Sequence, residues 1–111
     1  MNLAEDPNIK AIIDEKRYTV AAFYQFVSLN NIKHLQAELK KLCQKYEIFG
    51  TILLAREGIN GTVSGNQSSL NSLFKWFDHQ PSFHDIQVKY SNSNSLAFNR
   101  LKVRIKKEIV T

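Results

Sequence analysis

Several things are scarce in this chain of 111 residues. It has one cysteine, Cys43, so no disulfide can close within it and a disulfide-stapled secreted scaffold is excluded. No apolar run approaches the ~20 residues that cross a bilayer. The opening Met1-Asn2-Leu3-Ala4-Glu5-Asp6 is acidic and has no apolar stretch, unlike a signal peptide. A reducing, cytoplasmic setting with no membrane partner is therefore expected. There is no internal repeat and no long low-complexity run. What is present is ordinary for a globular protein: 43% hydrophobic and 23% charged residues. A wholly disordered chain is excluded, and the length suits one domain rather than two.

The net charge is +5, and it is unevenly placed. Residues 1–29 carry four acids and three bases, net −1; residues 30–80 carry six bases and four acids, net +2. Residues 81–111 carry six bases and two acids, net +4. The C-terminal end is thus the place for an anionic partner or a contact with another domain.

Periodicity supplies the elements. Asp6-Pro7 suits a helix start, and Ile9, Ile12 and Ile13 give it one apolar stripe, so residues 1–17 form an N-terminal helical extension. Tyr18 to Val27 reads as a strand. Ile32, Leu35, Leu39, Leu42, Cys43 and Tyr46 recur at helical spacing, with Lys33, Lys40, Lys41 and Lys45 on the other side. Ile48 to Ala55 and Ile59 to Ser64 are strands joined at Glu57-Gly58. Leu70, Leu73, Phe74 and Phe77 mark a second amphipathic helix, closed before Pro81. Ile86, Val88 and Tyr90 alternate with Gln87 and Lys89 as a fourth strand, followed by a polar loop, Ser91-Asn92-Ser93-Asn94-Ser95. Last, Leu101, Val103 and Ile105 alternate with Lys102, Arg104 and Lys106 in a final extended segment. Strand, helix, strand, strand, helix, strand is the α+β ferredoxin-like (acylphosphatase-like) order. It predicts an antiparallel sheet over residues 18–111, with two helices on one face.

Few residues can carry chemistry. Cys43 falls among the buried positions of the first helix, where a thiol is inert. His34, His79 and His84 lack zinc-ligand spacing. No metal site, cofactor or catalytic residue is expected in this chain. Glu5-Asp6 and Asp14-Glu15 lie where acids serve a helix dipole. Acylphosphatases share this fold and hold phosphate in the loop after the first strand with glycines and an arginine. The loop here, Val27-Ser28-Leu29-Asn30-Asn31, has neither, which disfavours that activity.

Two segments remain. In Ala55 to Gly65, Gly58 and Gly61 give a hairpin its backbone freedom; otherwise Arg56, Asn60 and backbone N–H groups face a ligand or a second domain. In Phe98 to Thr111, the apolar set must face the helices, which puts Lys102, Arg104 and Lys106 on the open sheet face. Such a stripe either neutralises phosphates or keeps an edge strand soluble. The third strand has no aromatic residue, so an RNA-recognition-motif stacking platform is not expected there.

At these two segments the sequence resembles a known family. Arg56-Glu57-Gly58-Ile59-Asn60-Gly61-Thr62 is similar to the E-G-I-N-G/A hairpin of the rhodanese-domain tRNA wobble-uridine hydroxylases (TrhO family). Leu101-Lys102-Val103-Arg104-Ile105-Lys106-Lys107-Glu108-Ile109-Val110 is similar to their basic K-V-R-x-(K/R)-x-I-V stretch. Phe23-Tyr24 with Phe26, and Phe49-Gly50-Thr51-Ile52, fit their first two strands. The resemblance spans about residues 18–111. It implies a front domain whose partners are tRNA and its own C-terminal rhodanese domain, the latter lying downstream and carrying the reactive cysteine. The full-length protein would form 5-hydroxyuridine at the tRNA wobble position using oxygen; this chain alone would be inactive. Arg56, Lys89, Arg100, Lys102, Arg104, Lys106 and Lys107 are the candidate phosphate contacts. A sulfurtransferase accessory domain, and an interaction domain that touches no nucleic acid, stand as alternatives.

Overall fold

The structure, a computed structural model, describes residues 18–93, 95 and 97–107. The N-terminal extension expected over residues 1–17, with its Glu5-Asp6 and Asp14-Glu15 pairs, lies outside the described residues, as does the Glu108-Ile109-Val110 end of the basic motif. The elements are β1 (Tyr18–Phe26), α1 (Ile32–Lys45), β2 (Phe49–Ala55), β3 (Gly58–Gly65), α2 (Gln67–Asp78), β4 (Gln87–Ser93) and β5 (Leu101–Ile105). They form one sheet in the order β4-β1-β3-β2-β5.

The first four strands pair antiparallel, as the ferredoxin-like order predicts. The expectation of a purely antiparallel sheet needs correction. The final segment is a fifth strand, parallel to β2, with Ile52 beside Val103 and Leu54 beside Ile105. The sheet is therefore mixed. Nothing in the alternation of β5 encodes the direction of its neighbour, which the chain's route from β4 decides. The polar loop also begins later than expected. Ser91, Asn92 and Ser93 continue β4 against Val20, Thr19 and Tyr18, because backbone pairing to β1 outlasts the apolar side chains.

Both helices cover one sheet face. Leu35, Leu39 and Cys43 of α1 are buried there, with Leu70, Leu73 and Phe77 of α2. Lys33, Lys40, Lys41 and Lys45 stay exposed. The sheet contributes Ala21, Phe23, Ile52, Leu54, Ile59, Val63 and Val103 to the same core. Phe23 is its aromatic hub, 5.6 Å from Phe74 in an edge-on arrangement and 5.5 Å from Phe77. Gln36 Nε2 donates to the Val103 carbonyl at 2.8 Å, tying α1 to β5.

Two helix ends have a clear local cause. Asn66 caps α2 by accepting from the Ser69 N–H at 2.8 Å. At the end of α1, Glu47 takes φ 55°, and the Ile48 N–H returns to the Cys43 carbonyl at 2.9 Å. This is the six-to-one closure that usually employs glycine.

The β2–β3 hairpin turns on Arg56 and Glu57, with Ala55 opposite Gly58. The two glycines of this segment do different things. Gly58 has φ +152°, and a Cβ there would lie 2.2 Å from the Gln25 carbonyl oxygen. Gly61, expected to supply backbone freedom, instead supplies room: a Cβ would come within 2.7 Å of Phe23 Cζ. The turn is also clamped to the chain after β1. The Val27 N–H donates to the Glu57 carbonyl at 3.0 Å and the Leu29 N–H to the Arg56 carbonyl at 2.8 Å.

Gly58→Ala should therefore lower the unfolding free energy by about 2 kcal/mol or more, since both the backbone angle and the Gln25 carbonyl oppose it. Urea unfolding of the two proteins measures this, and equal midpoints would contradict it.

Candidate functional site

Among the described residues, no helix covers the second sheet face. Strand register assigns its residues, because cross-strand partners point the same way. One row across the sheet reads Gln87, Tyr24, Asn60, Leu53, Arg104; the next reads Lys89, Ala22, Thr62, Thr51, Lys102. Cations occupy both edges, and uncharged side chains fill the centre. Four strand spacings separate Lys89 from Lys102, about 19 Å.

The expected phosphate contacts divide accordingly. Lys89, Lys102 and Arg104 share this face. Arg100 leads into β5, its carbonyl accepting from the Gly50 N–H at 2.7 Å. Lys106 and Lys107 follow the strand, with the Lys106 N–H donating to the Leu54 carbonyl at 2.7 Å. Arg56 belongs elsewhere: it borders a depression of about 490 Å³ at the start of α1, together with Asn31, Lys33, His34 and Ile105. The hairpin motif is split in the same way. Glu57 is in the turn, Gly58 approaches the β1 backbone, Ile59 is in the core, and Asn60 sits on the helix-free face. Among the described residues, no acidic side chain pairs with Lys89, Lys102 or Arg104.

Sequence reasoning missed the aromatic residues of this face. They come from β1 and the β4–β5 connection rather than from β3. Tyr24 is 45% exposed and Phe26 58% exposed, with ring centroids 6.2 Å apart at 67°. β4 and β5 lie at opposite edges of the sheet, so the chain between them must cross it. Phe98, within that crossing, borders a depression of about 780 Å³ together with Tyr24, Leu53, Asn60, Thr62 and Lys89. The face expected to be open is thus partly walled. Tyr24 and Phe26 alternate with Phe23, which packs on α2, but β1 is apolar on both faces, so alternation alone did not mark them out.

The remaining candidates are structural. His34 lies 3.8 Å from Glu38, and His79 Nδ1 is 2.7 Å from the Lys75 carbonyl. No group of three His, Cys, Asp or Glu side chains suited to a metal ion occurs among the described residues. Two backbone N–H groups of the loop after β1, those of Val27 and Leu29, are already committed to the hairpin. Gln25 is buried, its amide donating to the Ser82 carbonyl at 2.9 Å and accepting from the Asp85 N–H at 3.2 Å. It anchors the α2–β4 loop. Tyr90 points to the helix side, 5.9 Å from Phe74; partial burial and then the Asp78 charge raise its pKa. No helix among the described residues is long and apolar enough to cross a membrane.

The sequence profile of the UPF0176 acylphosphatase-like domain matches residues 18–109. A protein named tRNA uridine(34) hydroxylase from Bartonella bacilliformis is 46% identical over 97 residues, covering 87% of this chain and 32% of its own. One of the same name from Rhizobium leguminosarum bv. trifolii is 43% identical over 94 residues, covering 85% and 30%. This chain spans about a third of the length of these curated relatives. Among solved structures, the dark-state BLUF protein BlrB superposes with a TM-score of 0.64 at 17% identity, covering 86% of this chain and 74% of its own. Full-length HypF in its phosphate- and nucleotide-bound form gives 0.60 at 15%, covering 78% and 12%. At these identities the likeness is one of fold.

Cys43 is fully buried, and burial pushes its thiol from 9.0 up to about 12. Below pH 9 the folded and unfolded chains both hold this proton. Between 9 and 12 the unfolded chain loses it first, so the group's contribution to stability falls as pH rises through that window. A thiol-specific disulfide reagent at pH 8 should label the native chain far more slowly than the urea-unfolded chain. Equal rates would contradict the burial.

Proposed function

Because the chain belongs to the UPF0176 acylphosphatase-like domain family, we propose that it is the substrate-docking domain of a tRNA uridine hydroxylase. On this reading the whole protein is a cytoplasmic oxidoreductase acting on the wobble uridine. Its chemistry takes place in a rhodanese domain beyond this chain, and the domain described here holds tRNA. The name of the relatives supports the substrate, and a buried thiol of raised pKa supports locating the chemistry elsewhere.

One observation carries the docking role: three cations that have no acidic partner among the described residues flank the two edges of a sheet face that no described helix covers and that has exposed aromatic rings. Lysine and arginine side chains neutralise phosphates and release counterions, which gives affinity that falls steeply with salt. α1 also displays four lysines, but on a helix that carries Glu38, and the Tyr46 ring, 5.3 Å from Lys45 Nζ, is half-buried rather than open to stacking.

Replacing Lys89, Lys102 and Arg104 together by Glu should weaken binding of bulk tRNA and flatten the plot of log K against log salt. Three lost phosphate contacts reduce its slope by about 2. Filter binding across a salt series measures both. Wild-type affinity and slope in the triple variant would overturn the docking role. Loss of activity in the longer enzyme with tRNA binding intact would point to packing against the catalytic domain.

A further inference from the structure

We propose that the helix-free face contains a seat for a short unpaired strand, one base held between Tyr24 and Phe98 and the backbone running across the sheet from Lys89 at one edge to Lys102 and Arg104 at the other. This rests on the docking reading and deepens it, by specifying an unstacked single strand rather than a duplex.

Charge distribution is the first argument. The centre of the face is uncharged, and the cations stand at its edges, about 19 Å apart by strand spacing. An unstacked strand laid across the sheet matches this pattern, because its end phosphates reach the two edges while the base between them turns toward the uncharged centre. A duplex buries its bases and would leave the centre of the face without a partner.

The rings are the second. Tyr24 is nearly half exposed and braced edge-on by Phe26 at 6.2 Å. A ring held this way loses little freedom when a base stacks on it, and any of the bases offers a π-face. Phe98 lies in the strand crossing and borders the same depression. Its volume of about 780 Å³ falls within the range of small-molecule sites. The Thr51 and Thr62 hydroxyls beside it add groups that can both donate to and accept from a base edge.

The test compares a short fluorescein-labelled oligouridine with an RNA duplex of equal phosphate count, by fluorescence anisotropy at one moderate salt concentration. Tyr24→Ala and Phe98→Ala should each weaken single-strand binding by about 5- to 150-fold, the range found when a stacking partner is removed. Duplex binding should stay at the wild-type level, and Tyr24→Phe, which keeps the ring, should bind as wild type. Irradiating the unmutated protein with a 5-iodouridine oligonucleotide should crosslink peptides containing Tyr24 or Phe98, a readout that does not depend on any variant folding. Unchanged single-strand binding in both alanine variants, or crosslinks confined to α1, would overturn the base seat. If the double variant Lys102→Glu/Arg104→Glu still weakened binding of both RNAs, the docking reading would survive that failure. Failure of the wild-type protein to bind either RNA would remove both.

Discussion

The register of β1 against β3 is the constraint on which everything else depends. Phe23 lies over Gly61, and Gly58 passes under the Gln25 carbonyl, so any side chain at either glycine would collide with β1. A slip of one residue would turn every side chain of a strand to the opposite face. Tyr24 and Phe26 would then enter the core, and Phe23 would leave its contacts with Phe74 and Phe77. The core and the candidate site are two consequences of one alignment.

That alignment also explains why the family-like hairpin sequence has two faces. Ile59 belongs to the core, while Asn60 belongs to the helix-free face. The turn itself is held by the Val27 and Leu29 N–H groups. These are donors from the loop that in acylphosphatases cradles phosphate, and here they serve the fold. The cationic residues are instead distributed along the outer strands, where side chains can reach a polyanion without being desolvated.

Much of this was legible from residue types. Leu35, Leu39 and Cys43, and likewise Leu70, Leu73 and Phe77, announced their buried stripes through spacing alone, and the alternation in β5 placed Lys102 and Arg104 opposite Val103. β1 was harder, because apolar residues occupy both of its faces: Phe23 inside, Tyr24 and Phe26 outside, with the polar Gln25 buried against the α2–β4 loop. Period-two reasoning has no contrast to work with in such a strand. Nor could local sequence reveal that β5 would add parallel to β2, or that the crossing would bring Phe98 over the sheet. Both depend on where distant strands lie.

The account's central claim is that this sheet face, and not the lysine-bearing side of α1, receives RNA. Amide chemical shifts of the isotope-labelled chain during titration with a short single-stranded RNA test it most directly. The account predicts that the perturbed signals cluster on Ala22, Tyr24, Thr51, Asn60, Thr62 and Lys102. Perturbations centred instead on Lys33, Lys40, Lys41 and Lys45 would contradict it.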